Sequence, residues 1–381
     1  MTNSFDQIID RRNSDSIKWN LHNEDILPLW VADMDFKSPQ PVIDAMINRV
    51  EHGVFGYPHE DQQLKIKIVE RMKLLYNWDI NSEDIIFIPG VVPSFNLACR
   101  ALTKPKDSVI IQTPVYPPFF KAPENAGLEK IENPLVKDED GQYKIDFVNF
   151  QAQIKDSTSL YILCNPHNPV GRVFTGDELQ KLANICIENN IIICSDEIHC
   201  DLVFSGHRHI PIASLDEEIA QNSITLMAPS KTYNIAGIGC SFIIAQNPDI
   251  RNKLLTHMTG ITGHVNIFGY TAALAAYENG NDWLDAVMQY LEQNRNYVYD
   301  FVKHELPGIS MILPEATYLA WLDCRELNSK KDPYQLFLED AKVALNNGIT
   351  FGEPGKDFVR LNFGCPREIL EESLRRIRSV I

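Results

Sequence analysis

Residues 160–199 read LYILCNPHNPVGRVFTGDELQKLANICIENNIIICSDEIH, and three segments of that stretch decide the fold. Leu160–Cys164 and Ile191–Cys194 are short runs, apolar on successive residues, the pattern of strands buried on both faces. Between them Thr175 and Glu178 form a T-x-x-E capping box, and Leu179, Leu182, Ala183 and Cys186 follow at helical spacing. Strand, helix and strand in that order predict parallel strands joined by a crossover.

The same texture extends outward in both directions. Ile85–Ile88, Val109–Gln112, Ile224–Met227 and Phe242–Ala245 are further apolar strand candidates. The expected fold class is therefore α/β, with a largely parallel central sheet covered by helices. After about residue 280 the pattern changes. Asn281–Leu306 reads as one long helix with Trp283, Ala286, Val287, Tyr290 and Leu291 in its apolar stripe, ended by Pro307-Gly308. Met311–Leu313, Tyr318–Leu322 and Phe358–Asn362 then predict strands of a smaller α+β unit, closed by a helix from Pro366 to Ile381. The expected division is an N-terminal segment 1–40 packing across both units, a large domain 41–280 and a small domain 281–381. Leu27, Leu29, Trp30 and Val31 give the first segment apolar contacts but no core of its own.

Composition limits the function classes. Of 381 residues 44% are apolar and 23% charged, as in a soluble globular enzyme. Lys plus Arg number 35 against 51 Asp plus Glu, a net charge of -16 that repels nucleic acid and acidic membrane surfaces. No apolar run approaches the ~20 residues that cross a bilayer. The opening Met1–Asp15 has no apolar core or cleavage site, and the eight cysteines form no CxxC pair. A cytoplasmic protein with reduced, buried thiols is the expectation.

In a parallel sheet ligands bind at the carboxyl ends of the strands, so the polar residues just past each apolar run matter most. Gly90, Val91 and Val92 follow one run and enter a helix whose free N–H groups suit a phosphate. Tyr116 follows another and offers a stacking face; Asn168, Asp196 and Lys231 with Ser230 follow three more. A lysine partly removed from water has a lowered pKa and acts as nucleophile and then as base. A carboxylate such as Asp196 can keep a pyridinium nitrogen protonated, and Asn168 can donate to the phenolic oxygen of the same ring. Singly, each has a plainer reading: a solvated lysine, a capping Asp196-Glu197 pair, Asn-Pro turns. Taken together, in the order phosphate loop, aromatic, Asn, Asp, Lys, they describe one site for pyridoxal 5'-phosphate. No metal site is expected: His207-Arg-His209 lacks a carboxylate or thiol cluster and reads as a solvated loop.

These motifs resemble those of fold-type I pyridoxal-phosphate enzymes, the transferase-like fold of the aminotransferase class I/II superfamily. Within it the chain looks most like the MalY/PatB group of cystathionine β-lyases, or cysteine C–S lyases. Trp30-Val-Ala-Asp-Met-Asp-Phe36, Phe55-Gly-Tyr57-Pro58, Gly90-Val-Val-Pro93, Ser195-Asp-Glu-Ile-His199, Ser230-Lys-Thr-Tyr-Asn-Ile-Ala-Gly237 and Thr317-Tyr-Leu-Ala-Trp321 carry the likeness. The resemblance implies that Lys231, Asp196 and Tyr116 are catalytic and that Val91, Val92, Asn168, His199 and Ser230 complete the cofactor site. It implies that Arg360, with Asn168, grips the substrate carboxylate, and that Tyr57 reaches the phosphate of a neighbouring subunit, so that a homodimer shares its active sites. His199 stands where aminotransferases commonly have tyrosine, as in the lyase group. Gly239 stands where many relatives have a phosphate-binding arginine.

The activity implied is β-elimination on cystathionine or another cysteine S-conjugate, giving thiol, pyruvate and ammonia. Two alternatives remain open at this stage: an aminotransferase that needs a 2-oxo acid, and a lyase with a second, regulatory protein-binding role. The pocket for the sulfur side is expected around Asp33–Phe36 and Tyr116–Phe120.

Overall fold

The computed structural model describes residues 4–381. Its large sheet has seven strands: β1 (Ile85–Ile88), β2 (Ser108–Thr113), β3 (Glu129–Pro134), β4 (Thr158–Cys164), β5 (Ile192–Asp196), β6 (Ser223–Met227) and β7 (Ser241–Ile244). Their order across the sheet is β1-β7-β6-β5-β4-β2-β3. β1, β2, β6 and β7 are buried at every residue, as double-sided burial of apolar runs requires. The capping box forms as expected: Thr175 Oγ1 accepts from Glu178 N and Glu178 Oε2 accepts from Thr175 N, starting the helix Gly176–Glu188.

The sheet is mixed rather than wholly parallel. β7 runs antiparallel to both β1 and β6. A parallel return needs a helix crossing the sheet face. The link between β6 and β7 instead carries only Pro229–Thr232 and a turn at Ala236–Ile238. The chain therefore doubles back along the strand ends, and Lys231 stays at that edge. β3, with its charged sequence EKIENP, is an edge strand that an apolar pattern does not reveal. The link from β5 to β6 holds only short pieces, a 3-10 turn at Ile212–Ser214 and a five-residue helix, Glu217–Gln221.

The smaller sheet is antiparallel: β8 (Ser310–Met311), β9 (Leu319–Asp323), β10 (Asn346–Asn347) and β11 (Phe358–Asn362), in the order β8-β9-β11-β10. Arg360 lies mid-strand in β11, opposite Trp321 on one side and Asn346 on the other. The long helix Asn281–Glu305 turns Val287, Tyr290, Leu291 and Val298 into the same core, beside Leu370 and Leu374 of the helix Arg367–Arg378. Phe5, Trp19, Leu29 and Met34 join this core. Leu27–Pro28 pairs in parallel with Val343–Ala344, while Asn234 of the large unit bonds the backbone of Met34 and Phe36. Among the described residues no helix is long and apolar enough to cross a membrane.

Candidate active site

Strand register brings the decisive residues together. Cys164, Asp196 and Leu226 are neighbours across β4, β5 and β6. Beyond them Asn165 N donates to Asp196 O at 3.0 Å and Glu197 N to Leu226 O at 2.9 Å, so Asp196 marks the last rung of the ladder. After β4 the chain folds into a turn closed by His167 N to Arg172 O and Gly171 N to His167 O, both 2.8 Å. Gly171 has φ +76°, and a Cβ there would meet Pro314 Cβ at 2.7 Å, so the turn tolerates no side chain. Buried His167 ties it to the Tyr116 loop through Pro114 O at 2.8 Å.

A cavity of about 360 Å³ opens at these ends. Val91, Val92, Tyr116, Asn168, Asp196, His199, Ser230, Lys231 and Arg360 all line it, every one a candidate from the sequence. Tyr57 does not: it is fully exposed, which excludes a core tyrosine and leaves it on the outer surface of its own chain. The helix Val91–Ala101 begins at the cavity, and its third residue, Pro93, has no N–H, so Val91 and Val92 carry its free leading amides. Gly239 has φ +68° and would place a Cβ 3.3 Å from Pro89 O, so it is a close-packed left-handed position beside that loop.

The ionisable groups are displaced from their ordinary behaviour. Lys231 donates to Ala32 O at 2.6 Å; its withdrawal from water, helped by Arg360, brings its pKa down to about 8. Burial lifts Asp196 to about 7, although Ile198 N donates to it at 3.1 Å. Burial also drives His199 down to about 3, which makes it a neutral imidazole, and its Nδ1 has no partner. Arg360 donates to Asn168 Oδ1 at 2.9 Å, Trp30 O at 2.9 Å and Asn346 Oδ1 at 2.5 Å. Burial lowers it to about 10, still a cation at neutral pH, and its Nε is unpartnered. An amine of depressed pKa beside a desolvated carboxylate and a fixed guanidinium can attack a carbonyl, move a proton and hold a carboxylate.

Two expectations need correction, and one plainer alternative is excluded. Around the stretch expected to line the sulfur-side pocket, the cavity takes Trp30, Val31 and Ala32 rather than Asp33–Phe36; Asp33 and Asp35 face Arg11 and Lys18 in ion pairs. Asp196-Glu197 is no capping pair, because Glu197 is buried against Ser195 Oγ, Ile212 N and His209 Nε2. His209 is accordingly buried rather than solvated, whereas His207 stays largely exposed. Among the described residues no cluster suits a metal ion. Asn346 went unrecognised because Asn346-Asn-Gly348 reads as a turn, and Ala32 because it acts through its carbonyl.

The sequence pattern of the aminotransferase class I and II family matches residues 24–377. The chain belongs to that family. This class I and II member is 41% identical to cystathionine β-lyase PatB of Bacillus subtilis, over 99% of this chain and 100% of that protein. It is 32% identical to protein MalY of Escherichia coli, over 99% and 98% respectively. Cystalysin from Treponema denticola, whose crystal structure contains pyridoxal 5'-phosphate, superposes with a TM-score of 0.95 at 37% identity, over 100% of this chain and 99% of that one. Within the class I and II family, the chain is closely related to the MalY/PatB cystathionine β-lyases.

Proposed function

We propose that the cavity holds pyridoxal 5'-phosphate and that the protein is a C–S β-lyase for cystathionine or other cysteine S-conjugates. Such a reaction consumes water and yields the thiol, pyruvate and ammonia. The convergence of Lys231, Asp196 and Arg360 on one cavity, in a chain of this kinship, carries the reading.

The lining fits the cofactor. A buried carboxylate with a single backbone donor suits a protonated ring nitrogen, and the unpartnered His199 Nδ1 and Asn168 suit a ring oxygen. The Val91 and Val92 amides at a helix N-terminus, with the Ser230 hydroxyl, suit a phosphate. Tyr116, which lines the cavity, would offer its ring as a stacking face. Bound there, the cofactor supplies an aldehyde for Lys231 and an electron sink for charge developing at the substrate Cα.

The chain's own groups do the rest. Lys231 Nζ, the free amine at the sheet edge, would take the substrate's Cα proton. Asp196 would keep the cofactor's ring nitrogen protonated. Arg360 has three hydrogen bonds engaged, which leaves two of a guanidinium's five N–H donors for the substrate carboxylate. Tyr57 of a second copy completes the phosphate site in a homodimer with shared active sites. Residues 41–280 form the cofactor domain and 281–381 the small domain, with the segment 1–40, whose first three residues lie outside those described, across both. Eight free, buried cysteines suit a cytoplasmic setting.

The test is direct. Protein loaded with pyridoxal phosphate is given cystathionine and S-alkylcysteines, with and without 2-oxoglutarate. Pyruvate and thiol should appear without the oxo acid, and Lys231→Ala should make neither. Turnover that depends on added 2-oxoglutarate would instead identify an aminotransferase.

A further inference from the structure

Lys231 sits on a helix of only four residues, Pro229–Thr232. One turn that short does not hold itself. Its backbone contributes Tyr233 N to Pro229 O at 2.9 Å and Ile235 N to Ser230 O at 3.0 Å. Its flanks supply the rest. On one side Asn234 is bonded to the backbone of Met34 and Phe36. On the other, buried Thr232 donates through Oγ1 to Asp201 Oδ2 at 3.0 Å, and the second oxygen of Asp201 receives Arg71.

This ion pair is well covered: the side chains of Arg71 and Asp201 are 11% and 5% exposed, and the guanidinium lies 4.9 Å from the centroid of Tyr277. Burying two charges seldom adds stability over apolar residues of similar volume. A geometric task explains its place better. Neither residue lines the active-site cavity, so both act through Thr232. Asp201 also follows directly on the segment of Asp196 and His199, so one stretch of chain sets the carboxylate, the imidazole and the anchor beside the lysine.

We infer that Asp201, charge-balanced by Arg71, is a positioning residue for Lys231: it grips Thr232 and so fixes the turn that aims the amine. The inference rests on the reading of Lys231 given above. Thr232→Val deletes the donor and keeps the shape, leaving the Arg71–Asp201 pair intact; Thr232→Ser keeps the donor. In the holoenzyme, Thr232→Val should lose about tenfold in kcat with KM unchanged, about 1.4 kcal/mol in barrier. Its isotope effect with Cα-deuterated substrate should rise, because proton transfer becomes slower. Cofactor-free Thr232→Val should also link added pyridoxal phosphate more slowly, read as borohydride-trapped mass on Lys231. Thr232→Ser should stay within about twofold of the parent on every readout, given that one hydroxyl bond is all that is at stake. Thr232→Ala makes the same deletion if the valine variant does not fold. A Thr232→Val protein with lowered Tm but parental kcat, isotope effect and linking rate would reduce Asp201 to a structural tie and overturn the inference. Trapped mass persisting in Lys231→Ala would instead overturn the assignment of Lys231.

Discussion

Asp196 is held where the folded chain alone would rather not have a charge. Its carboxyl is buried, lifted to about 7, and receives one backbone donor. A raised acid binds its proton in the folded state while the unfolded chain has released it. Between about pH 4 and 7 this carboxyl's own contribution to the stability of cofactor-free protein therefore falls as pH rises. Asp196→Asn should be more stable than the parent at pH 8 without cofactor, with a gap in Tm that closes near pH 4, while its lyase activity falls at least a hundredfold with cofactor, an electrostatic loss of a few kcal/mol. Equal melting at both pH values would contradict the buried charge. Residues such as Asp196 and Lys231 were legible because each is polar chemistry placed directly after an apolar run. Asn346 and Ala32 were not, since their oxygens gain meaning only from Arg360 and Lys231 folding against them. His209 was misread for the same reason: its partner Glu197 is twelve residues away and became visible only through burial.

At the scale of elements, apolar runs located six of the seven large-sheet strands, because strands buried on both faces cannot hide. The edge strand β3 could, since one flank meets solvent and tolerates charge. Strand direction was the other blind spot. Direction depends on what the connection does, and the β6–β7 link is long enough for a crossover yet remains at the sheet edge. The helix Gly176–Glu188 gives a simple check on local coding. Thr175→Ala removes the acceptor for Glu178 N and should lower stability by about 1 kcal/mol. A lower urea midpoint with parental slope and parental turnover is the expected result.

For the molecule as a whole, Tyr57 is the residue on which the proposed shared site turns. It is fully exposed, and Val54 and Phe55 before it are more than half exposed. If each cofactor site borrows Tyr57 from a partner, Lys231→Ala mixed and reassembled with Tyr57→Ala should recover turnover that neither variant has alone. Two-fold pairing then yields some sites with both residues intact. No recovery after verified subunit exchange would place Tyr57 outside the site.

Trp30 and Ala32 have a consequence in the making of the protein. Their carbonyls receive Arg360 and Lys231, and the first of these bonds spans 330 positions of sequence. Such distant closures come late in folding. A chain translated past Lys231 but not yet as far as Arg360 has its reactive amine and lacks the clamp.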